Sequence, residues 1–246
     1  MWNFLTGKKK NPLTAVPLPG TDLHSHLIPG IDDGAQTEEE ALQLLQGLLM
    51  LGYRKCITTP HCYSGLYNNS PVTIAAGLAR LKDTCVRHSI ALELEAAAEY
   101  FFDTLFFEQV QKKELLTFGK NYVLFELPMN SRPTMLEEVV FNMNLNGYTP
   151  VLAHPERYPY FHDRNMREYE KLKDYGVLFQ LNLMSLTGYY NRSIRDAARA
   201  LVSQEMIDFS GTDLHKQKHL AVLQEAQHDS FYHQLLSSGK LLNNTI

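Results

Sequence analysis

Two short patterns in the sequence could grip a metal ion. His24-Ser25-His26 sets two imidazoles two residues apart, and Asp213-Leu214-His215 sets a carboxylate and an imidazole at the same spacing. In a β-strand, residues two apart point to one side, so each pair could reach one ion. Similar side chains recur at the ends of apolar runs: His61 after Pro60, Glu99 after three alanines, Glu126 inside VLFELP, and His154 before Pro155-Glu156-Arg157. An unpaired carboxylate buried beside Ala96–Ala98 or inside VLFELP would be costly, and a cation would remove the cost. Imidazole with carboxylate suits Zn, Mn or Fe, whereas thiolate sites need cysteines. One zinc takes about four ligands. The candidates His24, His26, His61, Glu99, Glu126, His154, Asp213 and His215, with the Asp32-Asp33-Gly34 turn nearby, exceed that, so two or three metals fit better. Clustered metals clamp the oxygens of an in-line displacement and supply hydroxide near neutral pH. Arg157 adds a planar fork for phosphate oxygens. Together these point to phosphoester hydrolysis rather than amide hydrolysis or deamination.

Each residue also has an ordinary reading. His61 could cap a turn, His154 could be a hydrogen-bonded core histidine, and Asp32-Asp33-Gly34 could be a polar turn. Cys62 is the nearest thiol and a weak ligand candidate. His88, His162, His228 and His233 read as surface residues. Tyr189, Tyr190 and the segment 101–107 could form a substrate or partner surface, or belong to the core.

The elements that must hold these groups alternate. Apolar runs at DLHSH, YRKCITT, IALELEAAAE, YVLFELP, TPVLAH, VLFQLNL and IDFSGTD read as about seven strands. Helices are expected between them. The first carries a Thr37–Glu40 capping box, Leu42, Leu45 and Leu49 on one face, and Gly52 as its stop. The second opens at Ser70-Pro71 and carries Leu78, Leu81 and Cys85. Others are expected near Phe102–Lys112, Thr134–Asn146, Asn165–Tyr175, Ser193–Gln204 and Leu220–Leu236. Sustained β-α alternation predicts a parallel sheet with helices outside, as a closed barrel or an open doubly wound sheet. The candidate ligands then all lie at the carboxyl ends of strands, where such folds build their sites.

Composition narrows the classes. The chain has 246 residues, 44% hydrophobic and 20% charged, which excludes a disordered or fibrous chain and suits one domain. A net charge of −4 gives no reason to expect nucleic-acid binding. Ten histidines stand against three cysteines, Cys56, Cys62 and Cys85, which argues against a disulfide framework and for the cytoplasm. No apolar run reaches the roughly 18–20 residues of a membrane span. Residues 1–20 read as a lead-in too short for a signal peptide. A weak membrane-surface foot of Trp2, Phe4, Leu5 and Lys8–Lys10 is the alternative there. No dinucleotide or P-loop glycine motif is present.

DLHSHLIPGIDDG, TTPH, the strand glutamates, AHPERY and GTDLH, in this order from about Thr21 to His215, resemble the polymerase-and-histidinol-phosphatase (PHP) superfamily. Within it they are similar to bacterial protein-tyrosine phosphatases linked to capsule and exopolysaccharide synthesis. The resemblance implies a distorted (β/α)7 barrel over residues 21–246 with three divalent ions, manganese or iron first and zinc possible. His24, His26, Glu99 and Asp213 would hold one metal. Glu99, Glu126 and His154 would hold a second, with Glu99 bridging. Asp33, His61 and His215 would hold the third, Asp33 being preferred to Asp32 because it directly precedes the glycine. Arg157 matches the family's phosphate-binding arginine, and His24 and Asp213 join it as catalytic residues.

The expected reaction is attack on phosphorus by a metal-bridging hydroxide, without a cysteine nucleophile. No arginine follows Cys62 before Arg80, so the loop of cysteine-based phosphatases is missing. The expected substrate is phosphotyrosine on the tail of a membrane-bound tyrosine kinase. The sequence departs from the family where a second arginine is common. Leu220 falls there, and Lys216, Lys218 or His219 are the candidates to replace it. Two other readings stay open: a small-molecule phosphatase such as one for histidinol phosphate, and an inactive binding module. Oligomeric state is open.

Overall fold

The computed structural model describes residues 20–163 and 165–246. The N-terminal lead-in and its basic run lie outside them. The chain begins with β1 (Thr21–Leu23), α1 (Glu38–Leu51), β2 (Lys55–Thr58), β3 (His61–Cys62) and α2 (Pro71–Arg87). It continues with β4 (Glu93–Ala96), β5 (Glu99–Phe101), α3 (Thr104–Lys112), β6 (Tyr122–Glu126), α4 (Leu136–Leu145) and β7 (Thr149–Ala153). Then come α5 (Arg167–Asp174), β8 (Leu178–Asn182), α6 (Leu183–Thr187), α7 (Arg192–Ser203), β9 (Phe209–Gly211), α8 (Gln217–Ala226) and α9 (Ser230–Ser237).

All strand pairs are parallel. β1, β2 and β4 form one sheet, and β3, β5, β6, β7, β8 and β9 another in that order. Two of the expected strands are interrupted. Pro60 has no N–H to donate, and it separates β2 from β3. Ala97-Ala98 separates β4 from β5. Backbone bonds stitch the gaps: Thr59 N donates to Ser25 O, Ala97 N to Thr58 O and Glu99 N to Pro60 O, at 2.8, 3.0 and 3.1 Å. At the other edge, Asp213 N donates to His24 O at 2.8 Å and His26 N to Leu214 O at 3.0 Å.

The helices end as their residues dictate, with some shifts. Thr37 caps α1 by accepting from Glu40 N at 3.2 Å. The Glu40 carboxylate does not close the box; it accepts from Gln36 N instead. The buried face of α1 is Ala41, Leu44, Leu45 and Leu48, so Leu42 and Leu49 sit at its margins. Gly52 stops the helix at φ +108°. Ser70 and Thr73 form a complete capping box on α2. The expected last helix is two, because Asp229 starts a new cap on α9. The one-and-a-half-turn α6 was not expected. Asn182 caps it, and the segment reads as the tail of an apolar strand.

The apolar side chains divide by strand parity. Val123 and Phe125 of β6, Leu152 of β7, and Phe179 and Leu181 of β8 face outward into the large core beneath the helices. Leu124, Val151, Ala153 and Phe209 belong to a smaller inner cluster with Leu23, Ile57, Ala97 and Phe118. Glu126 is two residues after Leu124, and Gln180 and Asn182 alternate with the outward Phe179 and Leu181. The same alternation therefore carries polar groups inward next to that inner cluster.

Candidate metal centre and phosphate site

The histidines of the two opening patterns lie just past their strands, not within them. β1 ends at Leu23 and β9 at Gly211. His24 has φ +109°, Asp213 +51° and His154 +36°. Non-glycine residues rarely occupy this region, and such strain concentrates at functional sites. Strand alternation is thus the wrong reason for the convergence of His24 and His26. The left-handed kink at His24 redirects the chain, and the two rings still lie 5.4 Å apart between centroids.

Glu99 is the hub. Its Oε2 lies 3.1 Å from His24 Nε2, 3.2 Å from His61 Nδ1 and 3.4 Å from His26 Nε2. Its Oε1 lies 3.1 Å from His154 Nε2. Glu126 reaches His61 Nδ1 at 3.2 Å and His154 Nε2 at 3.8 Å. Asp33 Oδ1 is 3.4 Å from both His61 Nε2 and His215 Nε2. Asp213 Oδ1 faces His215 Nδ1, His24 Nε2 and His26 Nε2 at 3.3, 3.4 and 3.6 Å. All nine candidate ligands are therefore gathered at one place. They form four overlapping groups: His26, Asp33, His61, His215; His24, His26, Asp213; His24, Glu99, His154; and His61, Glu99, Glu126. His26 thus belongs with the Asp33 group as well as with His24, and Glu126 lies nearer His61 than His154.

Asp32 and Asp33 divide their work. Asp32 is buried, sits 2.7 Å from His26 Nδ1, and accepts from Gly34 N and His61 N. It orients ligand-type groups, while exposed Asp33 faces the cavity. Gln180 Oε1 holds His24 Nδ1 at 2.7 Å. The sequence reading missed both supporting roles. The signal was available: partners to the second ring nitrogen of a ligating histidine are a regular need.

The charge state follows from these neighbours. Burial opposes an imidazolium at His24, but Glu99 and Asp213 outweigh it and raise its pKa to about 9. Burial would also lift Glu99, yet His24 and His61 hold it well below the usual carboxylate range. Asp213 is held down likewise, against burial, by His24, His215 and Arg157. Burial and Arg157 lower His154, which leaves it neutral. His24 Nε2, His26 Nε2, His61 Nδ1 and Glu99 Oε2 are close in distance but off hydrogen-bond direction, and they have no hydrogen-bond partner though buried. Such orphaned atoms are uncommon in folded proteins. A set of nitrogen and oxygen donors aimed at shared points fits hard to borderline divalent cations.

Above the cluster a cavity of about 440 Å³ opens, and its aromatic and apolar lining is Tyr63, Leu66, Tyr67, Phe101, Tyr189 and Tyr190. Phe102 and Phe106 are instead buried core, so the expected aromatic surface splits. Tyr67 stacks on His61, and Tyr63 stacks on Phe101 at 3.9 Å. Arg157 lines the cavity and donates to Asp213 Oδ2 at 3.0 Å. Leu220 packs over Gly47 of α1, away from any phosphate role. Lys216 and Lys218 line the cavity rim. His219 is buried, which with nearby His215 lowers its pKa to about 4, so it brings no positive charge.

Cys62 is buried, its thiol pushed up to about 12 by burial, and it joins none of the four groups. His162 and His233 are partly exposed, and each is hydrogen-bonded. Their Nε2 atoms lie 2.7 Å from Glu156 O and 2.9 Å from Gln227 O.

A family model described as capsular polysaccharide synthesis, CpsB/CapC, matches residues 20–228. The chain belongs to the CpsB/CapC family. Tyrosine-protein phosphatase YwqE of Bacillus subtilis is 28% identical over 202 residues, covering 80% of this chain and 78% of that protein. Tyrosine-protein phosphatase CpsB of Streptococcus pneumoniae is 26% identical over 200 residues, covering 79% and 82%. This CpsB/CapC chain also matches a chain from the crystal structures of YwqE and CpsB, described as metal-dependent tyrosine phosphatases. That match has a TM-score of 0.76 at 26% identity, over 91% of this chain and 94% of that one. A phosphotriesterase homology protein from Escherichia coli shares the fold at a TM-score of 0.51 and 16% identity.

Proposed function

We propose that this CpsB/CapC-family chain is a metal-dependent phosphatase that hydrolyses phosphotyrosine on proteins. The observation that carries the reading is the set of orphaned, buried nitrogen and oxygen atoms converging beneath Arg157. Three divalent ions, manganese or iron before zinc, are the natural occupants. The nine residues of the four overlapping groups would hold them, with Glu99 common to the group of His24 and His154 and the group of His61 and Glu126. When bound, such cations supply Lewis acidity and make a strong nucleophile available from water near neutral pH.

The chain's own residues do the rest. Arg157, anchored on Asp213, offers its remaining N–H groups to the non-bridging phosphate oxygens. Lys216 and Lys218 stand where a second positive charge is wanted. Tyr63, Tyr67, Phe101, Tyr189 and Tyr190 line the cavity and give it walls that suit an aromatic ring. The leaving phenolate has a pKa of about 10 and needs little proton assistance. We read residues 21–246 as one catalytic unit whose parallel strands close into a distorted seven-position barrel through the bonds of His24 with Asp213 and of His26 with Leu214. The substrate we favour is the tail of a membrane-bound tyrosine kinase of the capsule system, and the compartment the cytoplasm. Among the described residues, no helix is long and apolar enough to cross a membrane.

Elemental analysis of the purified protein, paired with turnover of a phosphotyrosine peptide, tests this. About three divalent ions per chain and brisk peptide hydrolysis are expected. Much faster hydrolysis of histidinol phosphate would overturn the substrate. No hydrolysis of either peptide or p-nitrophenyl phosphate by the loaded protein would overturn the activity.

A further inference from the structure

Asp213 uses its two oxygens differently. Oδ1 faces the imidazoles of His24, His26 and His215. Oδ2 faces away from them and takes three donors: Asn182 Nδ2 at 2.8 Å, Arg157 Nη1 at 3.0 Å and Tyr190 Oη at 3.4 Å. Asn182 Nδ2 also donates to Tyr190 Oη at 2.8 Å. The phenol thus accepts from Asn182 and faces Asp213 with its proton. The Arg157 guanidinium carbon lies 4.6 Å over the Tyr190 ring centroid. Arg157 is therefore held on its edge by a carboxylate and on its face by an aromatic ring. Its other N–H groups have no partner among the described residues, and it lines the cavity.

Asn182 is itself fixed. It is fully buried, and its N–H donates to Glu156 Oε1 at 3.1 Å. Ser185 Oγ donates to the same oxygen at 2.7 Å. Asn182 Oδ1 accepts from Met184 N at 3.0 Å and starts α6. Glu156 precedes Arg157 in the chain, so the loop that carries the arginine is tied to Asn182 at the start of α6, and Tyr190 follows three residues after that helix ends.

We propose that Tyr190 and Asn182 are positioning residues that set the Arg157 guanidinium for phosphate. Tyr190 supplies the face on which the guanidinium lies. Asn182 orients the Tyr190 hydroxyl and Asp213 Oδ2. This rests on the phosphatase reading, in which Arg157 binds the phosphoryl group.

The test is a double-mutant cycle on the manganese-loaded protein. Orthophosphate affinity is measured by calorimetry, KM and kcat with a phosphotyrosine peptide, and metal content for every variant. Tyr190→Leu should weaken orthophosphate binding about five- to tenfold, in line with loss of a partly desolvated cation–π contact. It should raise KM more than it lowers kcat, with metal content unchanged. Tyr190→Phe keeps the face and should weaken binding less than Tyr190→Leu. Asn182→Asp keeps a cap for α6 but removes the donor, and should also weaken orthophosphate binding. In an Arg157→Ala background, Tyr190→Leu should have little further effect, because coupled residues are not additive. Additive losses, or Tyr190→Phe as damaging as Tyr190→Leu, would overturn the proposal and leave the phosphatase reading intact. A parent protein that neither binds orthophosphate nor hydrolyses the peptide would overturn the reading on which it rests.

Discussion

At the scale of residues, the cluster shows how few side chains separate ligand from support. Asp32 and Asp33 are adjacent and chemically alike, yet one is buried against His26 and the other faces the cavity. His24→Ala should abolish phosphatase turnover while the far-UV circular dichroism stays that of the parent; near-parent turnover would sink the metal assignment. Arg157→Ala should mainly raise KM and the inhibition constant for orthophosphate. Asp22 offers a test away from the cavity. It is buried beneath Thr212, whose N and Oγ1 both donate to it at 2.9 Å. Burial wins over those hydrogen bonds and lifts its pKa from the ordinary 3.8 to about 7. The folded state then holds more protons than the unfolded one between these values, so stability falls as pH rises through that window. Asp22→Asn removes this penalty. The Tm of the variant relative to the parent should therefore grow from about pH 4 to about pH 7. A difference that stays flat across those pH values would contradict the assignment.

At the scale of elements, the site is built where strands stop or are interrupted, with His61 and Glu99 opening β3 and β5 just past the breaks. His24, His154 and Asp213 each follow a strand and each adopt positive φ. The kinks need room. A Cβ on Gly211 would come 2.2 Å from Leu23 O and 2.8 Å from the His24 Cβ. Gly211→Ala should cost about 1–3 kcal/mol as an overpacked change, read by urea unfolding, and should lower metal content. Thr37 makes a milder case. Losing its cap on α1 by Thr37→Ala should cost about 1 kcal/mol without altering turnover. The alternation of strand and helix was legible because it rests on local apolar periodicity. The breaks at Pro60 and Ala97-Ala98, the partition of the last helix and the existence of α6 were not. Those depend on which backbone groups find partners after the sheet has assembled.

At the scale of the whole molecule, charge and metal loading are linked. The formal charge of −4 would become +2 with three divalent ions bound. Without them, His24 keeps a proton up to about pH 9 because Glu99 and Asp213 favour it. Metal must displace that proton. Adding manganese to the stripped protein in weak buffer at pH 8 should therefore acidify the solution, and the effect should fade above about pH 9. The His24 pKa is raised on folding, so its contribution in the stripped protein is present at low pH and lost as pH rises through about 9. Chelation should lower Tm, most visibly on the alkaline side, where the protons no longer substitute for the metal. Unchanged Tm after verified metal removal would count against a built metal centre.

The sequence alone determined the chemistry on offer. The residue types, the shortage of thiols and the position of each candidate at the end of an apolar run are local facts, and local periodicity is enough to order them along the chain. It also determined that Arg157 belongs beside them. Tertiary structure decided what each group faces. Glu99 became the hub because His24, His26, His61 and His154, far from it in the chain, converge on its carboxylate, and no spacing in the chain encodes that. His26 joined two groups, Asp32 became a support, and Asp213 was divided between imidazoles and the Arg157 prop. These outcomes depend on contacts between residues far apart in the chain, such as His24 with Gln180 and Asn182 with Asp213, and on backbone kinks that only the assembled sheet makes tolerable.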